Sequence, residues 1–211
     1  VKMLCQVGAE PFATGNVRLA RHGRLQYGDG GVWEDVVLKD FKKKNAVHHA
    51  KEKYMSEMEV ATIAAALAAE FNKQLKPPVD KQIRYVQSPV IEVAATETQG
   101  TRYYFAEEKL DGEFIKFCNN TGSWNPDHLD EWLMRFVLWT QEVTGGFMMV
   151  ADLQGIKTPK GYVFTDPVVL CKDIMRFGST NMGPLLMEKV ANSARVHMDE
   201  LKPQAPTQAW S

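Results

Sequence analysis

Between Phe12 and Phe41 short apolar and polar stretches alternate, and glycines at 15, 23, 28, 30 and 31 punctuate them. Period-two alternation broken by turn residues predicts at least two antiparallel strands there. From Lys51 to Gln74 the pattern changes to steps of three and four, with Met55, Met58, Thr62, Ala65 and Ala69 on one stripe. With so much alanine this predicts one long helix with a small-residue face, stopped by Lys76-Pro77-Pro78. Ile83 to Ala95 and Arg102 to Glu108 read as β-rich segments, so the first half is expected to be a sheet with one helix.

Asn125-Pro126-Asp127 has the order of a cap, a first-turn proline and a first-turn acid. The stripe Leu129, Trp132, Leu133, Phe136, Thr140, Val143 then predicts a helix ending at Gly145-Gly146. Phe147 to Gln154 and Tyr162 to Asp166 read as two strands joined by the segment 155–161. Met187, Val190, Ala194 and Leu201 predict a closing helix, with a loose tail over 203–211. The polar, glycine-bearing stretch from Gly112 to Asn125 is the best boundary in the chain. The expected organisation is a first lobe over about 1–111 and a second over about 112–202, with a cleft between them.

Composition adds exclusions. The 211 residues are 45% hydrophobic and 24% charged, the balance of a folded chain rather than a disordered one. A net charge of −1 gives no global positive field for nucleic acid or an anionic membrane, and neither is expected as a partner. Cys5, Cys118 and Cys171 are sparse, odd in number and outside any C-x-x-C pair, which suits a reducing compartment; the cytoplasm is the expected location. The chain has no apolar run of about 18 residues and no secretory leader pattern. Since residue 1 is valine, the sequence is expected to be a piece of a longer chain.

The period of two places Asp152 and Gln154 on one face of a strand, and the following strand delivers Asp166 at its far end. Two carboxylates and an amide oxygen suit a hard cation such as magnesium, although a strand-end aspartate can equally be a turn cap. In the first lobe, Gly15 lies in a turn within Phe12-Ala13-Thr14-Gly15-Asn16-Val17-Arg18, where backbone N–H groups could meet an anion. Lys39, in Val36-Val37-Leu38-Lys39-Asp40-Phe41, is either a phosphate-binding point charge or a solvated edge lysine. Glu57, on the long helix, either fixes that lysine or is simply solvated. Together these features order a phosphate loop, a lysine, a helix acid and a two-carboxylate hairpin along the chain, the set that phosphoryl transfer requires.

Five segments then resemble the atypical α-kinase family. Val150-Ala151-Asp152-Leu153-Gln154-Gly155 with Phe164-Thr165-Asp166-Pro167 is similar to its D-L-Q-G and T-D-P pair. Glu108-Lys109-Leu110-Asp111-Gly112-Glu113-Phe114, with Lys116, Asn119 and Asn120, resembles its segment between lobes. Pro11 to Arg18 resembles its phosphate loop, and Phe177 to Gly183 its F-G-x-x-N-L-G segment.

The resemblance implies an α+β, two-lobed, kinase-like fold: a β-rich first lobe with one long helix and a mixed second lobe carrying a metal-binding hairpin. It implies ATP and magnesium as cofactors and Ser or Thr of an unidentified protein as the phosphoacceptor. Asp152 would be the catalytic carboxylate; Lys39, supported by Glu57, would contact phosphate; and Gln154 and Asp166 would hold magnesium. Gly15, Asn16 and Arg18 would form the phosphate loop, Glu108 and Leu110 would offer backbone groups to adenine, and Gly178, Asn181 and Gly183 would form a substrate or phosphate loop. The family's zinc ligands correspond to Leu170, Ala194, Val196 and Glu200, so no structural zinc is expected, and packing of Leu170 and Val190 on Ala194 or Val196 should replace it. Two rivals stay open, a nucleotide-binding pseudokinase that serves as a scaffold and a kinase of small molecules.

Overall fold

The computed structural model describes residues 2–15, 17–28, 30–42, 50–95 and 100–202. Three strands, β1 (Met3–Thr14), β2 (Arg18–Tyr27) and β3 (Trp33–Phe41), run antiparallel in sequence order. β6 (Arg102–Glu108) joins beside β3, and β5 (Val90–Val93) closes the sheet, giving the order β1-β2-β3-β6-β5. The strands begin earlier than the glycine pattern suggests, because Met3 to Val7 already pair with Tyr27 to Gly23.

Helix α1 (Lys51–Leu75) ends where Lys76 turns left-handed at φ 48° and donates its N–H to the Asn72 carbonyl. Pro77 and Pro78 then prevent its continuation. Its buried residues are Tyr54, Val60, Ala64, Ala68 and Phe71. The helix is therefore rotated from the stripe read in sequence: Met55 and Ala69 are exposed, and Ala65 lies at the margin. Alanines on both sides make that periodicity shallow, and the bulky Tyr54 and Phe71 decide which face turns inward.

A second correction concerns β4 (Ile83–Tyr85). It leaves the first sheet and pairs in parallel with β10 (Gly161–Phe164) in a sheet ordered β4-β10-β9-β7, where β7 is Ile115–Lys116 and β9 is Gln154–Thr158. The first half of the chain is thus not one self-contained sheet. The segment 155–161 is mostly strand β9, with a tight turn at Pro159-Lys160.

The predicted helix from Asn125 is two elements. Asn125 caps a short 3-10 turn over Pro126–His128, and Asp130 then caps α2 (Glu131–Val143) by accepting from the Trp132 N–H at 2.9 Å. Two good capping residues five positions apart each satisfy their own first-turn donors. Leu133, Met134, Phe136, Val137, Trp139 and Thr140 of α2 are buried. Strands β8 (Met148–Ala151) and β11 (Val168–Cys171) form a separate antiparallel pair, and α3 (Gly183–Leu201) packs on it through Met187, Val190, Ala191 and Ala194.

One large core joins α1, α2, α3 and the second sheet around Phe71, Tyr85, Phe117, Phe136, Tyr162 and Phe164. Among the described residues no helix is long and apolar enough to cross a membrane. The tail over 203–211 lies outside the described residues.

Candidate active site

Strands β8 to β11 form one long antiparallel ribbon that is broken in the middle. β9 pairs with β10 in the four-stranded sheet, β8 pairs with β11 beside α3, and the chain crosses between these pairs at Asp152-Leu153 and again at Thr165-Asp166-Pro167. Both crossings are left-handed: Asp152 has φ 59° and Asp166 φ 51°. Aspartate tolerates this region better than most residues, and the strain is retained because two sheets fix the chain on either side. Gly155 has φ 152°, and a Cβ there would lie 2.0 Å from the Val163 carbonyl oxygen, so only glycine lets the ribbon close.

This break corrects the strand-face argument. Asp152 and Gln154 are not alternate residues of one strand, because the chain kinks between them. They converge nevertheless: the Gln154 amide nitrogen lies 3.4 Å from Asp152 Oδ2 and 3.4 Å from the Asp166 backbone oxygen. Lys116 of β7 reaches Asp152 Oδ1 at 2.7 Å and Gln154 Oε1 at 3.4 Å. Burial raises the Asp152 carboxyl above the ordinary aspartate range; the Lys116 ammonium opposes that and nearby Asp166 adds to it.

Lys39 projects from β3 into the same place and is buried. Its Nζ donates to Thr165 Oγ1 at 2.8 Å and to Asp166 Oδ2 at 2.9 Å, and it lies 2.8 Å from Glu107 Oε2. Thr165 Oγ1 in turn donates to Glu107 at 2.6 Å, and Ser88 Oγ donates to that carboxylate's other oxygen. Burial works to lower the lysine, but Asp166 and Glu107 outweigh it, so the ammonium is held charged above its usual range.

The lysine's anchor is therefore Glu107, not Glu57. Glu57 instead pairs with Arg18 at 2.7 Å and with Lys53 at 2.6 Å. Arg18 completes the cluster by donating to Asp166 Oδ1 at 2.6 Å while its guanidinium covers the Phe105 ring at 4.6 Å. Burial would raise the Asp166 carboxyl, yet the Lys39 and Arg18 charges hold it below the usual carboxylate range. Glu107 was not singled out in the sequence, and its neighbour Glu108 drew the attention. The signal was present in the strand alternation, since Phe105 and Glu107 share a face of β6 opposite Lys39 and Val37.

The remaining candidates fall into place unevenly. Gly15 donates its N–H to the Arg18 carbonyl at 2.9 Å, so that donor closes the hairpin rather than facing an anion. Asn16 lies outside the described residues. Glu108 is at the exposed end of β6 and pairs with Arg84, while Leu110 packs against Val86, Ile156 and Val163. Asn181 is buried and spends its side chain internally: its oxygen accepts from the Cys171 and Gly183 N–H groups, and its nitrogen donates to the carbonyls of Asp173 and Arg176. It shapes the loop between Gly178 and Gly183, whose left-handed glycines have φ 72° and 77°. A groove of about 520 Å³ lies behind β4, lined by Ala65, Asn72, Tyr85 and Arg84. It contains none of the Lys39–Asp166 cluster and only Glu108 of the candidate residues.

Among the described residues no group of three or more His, Cys, Asp or Glu is placed to hold a metal ion. Leu170 and Ala194 are fully buried aliphatics in the core that holds α3, together with Val190. Val196 is 55% exposed and Glu200 is exposed, so the packing pair is Leu170 and Ala194, and Val196 takes no part. The residues present do not fit a zinc ion. The oxygens of Asp152, Gln154 and Asp166 gathered at the ribbon break are of the donor type that a hard cation takes, and those of Asp166 are held by Lys39 and Arg18.

Residues 13–194 match the profile of the α-kinase family. This chain belongs to the α-kinase family. It is 35% identical over 179 residues to α-protein kinase vwkA of Dictyostelium discoideum, covering 84% of this chain and 28% of that protein. It is 36% identical over 138 residues to the human transient receptor potential cation channel subfamily M member 7, covering 61% of this chain and 7% of the channel. The chain thus spans well under a third of these relatives' own lengths. Among solved structures it is similar to the α-kinase domain of myosin heavy chain kinase A in complex with ADP, with a TM-score of 0.76, 24% identity, and 90% of this chain and 84% of that chain covered. The α+β, kinase-like fold is that of this α-kinase.

Proposed function

We propose that this α-kinase chain is a protein kinase domain that transfers the γ-phosphoryl group of ATP to a Ser or Thr hydroxyl of a protein, with magnesium. The observation that supports this best is the meeting, at one ribbon break, of a buried charged lysine, a partly buried aspartate of raised proton affinity and a second aspartate paired with cations. The solved relative in complex with ADP adds a nucleotide of the expected kind on the same fold.

In this reading Asp152 orients the incoming hydroxyl and accepts its proton as the oxygen attacks the γ-phosphorus. Burial raises its proton affinity, and the Lys116 ammonium opposes that rise. Lys39, held by Glu107 and Thr165, presents its ammonium to phosphate oxygens, offsetting charge as the bond to ADP breaks. Gln154 and Asp166 would hold the magnesium, which when bound screens the phosphate charge. Glu108 and Leu110 present backbone groups to adenine where β6 runs out, beside the proposed lobe boundary near residue 111.

Incubation with labelled ATP and magnesium, with and without a generic basic protein, followed by phosphosite mapping, tests the reading. Label on Ser or Thr supports it. Nucleotide binding without transfer would make the chain a pseudokinase, and turnover only with metabolites would make it a small-molecule kinase.

A further inference from the structure

Both oxygens of Asp166 are taken by cations of the chain itself. Lys39 lies 2.9 Å from Oδ2 and Arg18 lies 2.6 Å from Oδ1. Arg18 simultaneously holds Glu57 Oε2 at 2.7 Å through its other terminal nitrogen. Glu57 has a second partner in Lys53 at 2.6 Å, and Lys39 has a second partner in Glu107 at 2.8 Å. The cluster therefore sets Lys39, Arg18 and Lys53 against Glu57, Glu107 and Asp166, three cations against three anions. It is neutral before any ligand arrives.

A dication on Asp166 needs at least one of those oxygens, and a guanidinium in hydrogen-bond contact with Oδ1 opposes it, since like charges that close repel in a partly buried site. Lys39 keeps Glu107 and Thr165 and Arg18 keeps Glu57, but Arg18 is the less buried of the two, its side chain 18% accessible against 9%. Its fork already reaches Glu57, and its plane lies over Phe105 at 4.6 Å and Phe41 at 5.8 Å, contacts that survive loss of Asp166. We propose that Arg18 is a positioning residue that holds Asp166 closed in the nucleotide-free protein and cedes it to the metal, with Glu57 as the seat that keeps the guanidinium paired once it lets go. This rests on the assignment of Asp166 to the metal made above. It gives helix α1 a role in metal loading, because Glu57 is carried by that helix, and binding linkage makes the coupling reciprocal.

The test measures metal alone, without nucleotide or turnover: Mn²⁺ is titrated by electron paramagnetic resonance against the wild type, Arg18→Gln, Arg18→Lys, Glu57→Gln and Asp166→Asn, with folding checked by circular dichroism. Arg18→Gln should bind Mn²⁺ about 5- to 100-fold more tightly, the range of ordinary coupling between two competing states. Arg18→Lys keeps the charge but has no fork to span both carboxylates, and it should also tighten binding, by about fivefold on the same scale. Glu57→Gln should weaken binding, since Arg18 then has only Asp166.

Mn²⁺ affinity in Arg18→Gln equal to or below wild type overturns the proposal, and so does the absence of measurable binding in that variant. If Arg18→Lys matches wild type while Arg18→Gln tightens, net charge rather than the fork sets the affinity, and the proposal falls as well. Where Arg18→Gln does not fold, Arg18→Lys decides alone. Mn²⁺ binding that persists undiminished in Asp166→Asn would instead sink the metal assignment itself, a separate failure.

Discussion

Two regions of this α-kinase solve the problem of holding chain segments together in opposite ways. At the ribbon break, Lys39, Arg18, Glu57, Glu107 and Asp166 are drawn out of water and paired. At the seam between α3 and the β8–β11 pair, Leu170, Val190 and Ala194 are fully buried members of one hydrophobic core. Burying charges is a poor way to gain stability, because desolvation consumes most of the Coulomb attraction, whereas apolar contact stabilises directly. The contrast teaches where chemistry is required. The fold accepts the costly arrangement at the cluster where the proposed phosphate and metal contacts would lie, and it uses packing at the α3 seam.

The sharpest way to break the comparison is to remove one charge that does chemistry. Asp152→Ala should lower phosphoryl transfer by about 10² to 10⁴ while leaving ATP affinity and the melting temperature near wild type, as expected for a positioned proton acceptor. Near-normal turnover would put the chemistry elsewhere. The same residue predicts a pH profile. Because burial raises its carboxyl, the rate should already fall with acidification above the pKa of an ordinary aspartate, about 3.9, and Lys116→Met should move that limb further up by removing the opposing ammonium. A limb that stays put would show that another group titrates.

Next in size is the anchor of the lysine. Glu107→Gln leaves Lys39 with Asp166 as its one carboxylate partner, beside the Thr165 hydroxyl, in a buried place, and breaking one partner of a buried pair costs about 3 to 5 kcal/mol. Both the melting temperature and nucleotide affinity should fall. Glu57→Gln, at the partly exposed rim, should cost less stability than Glu107→Gln. The reverse order, read from urea unfolding, would return the anchoring role to the helix.

These residues also mark what sequence reasoning reaches. Lys39, Asp152, Gln154 and Asp166 were identifiable because their residue types and order match one chemistry. The long helix and the paired strands were identifiable because their periodicities are long. Glu107 and the Arg18 bridge were not, since partner choice among several acids depends on which sheet each strand joins, and β4 and the β8–β11 pair leave the expected sheets. The kink at Asp152 was hidden for a related reason: a left-handed residue inside an apolar run has no signature when the residue is not glycine.

The uncharged region is tested by opening a cavity. Leu170→Ala should destabilise the fold by about 2 to 5 kcal/mol, because a fully buried leucine loses both transfer free energy and packing. Val196→Ala, at an exposed site of α3, should be within about 0.5 kcal/mol of wild type. A chelator should leave the melting temperature of the wild type unchanged, and metal analysis should find no stoichiometric zinc. One zinc per chain would mean that ionic rather than apolar contacts anchor α3.

A small effect is also expected one residue from the buried Lys39–Glu107 pair. Glu108 follows Glu107 on β6 but points the other way, and its partner Arg84 is as exposed as it is, with side chains 48% and 55% accessible. Exposed ion pairs contribute about 0 to 1 kcal/mol, because water screens them and ordering two long side chains opposes them. The adenine contacts assigned here use the backbone, which alanine does not alter. Glu108→Ala should therefore leave ATP affinity within a few-fold and stability within about 1 kcal/mol of wild type. Adjacent acids differing in effect by several kcal/mol would show that burial, not charge, decides what an acid contributes. A loss at Glu108 comparable to that at Glu107 would mean that the strand end is held by the Arg84 pair and that the adenine segment depends on a side chain.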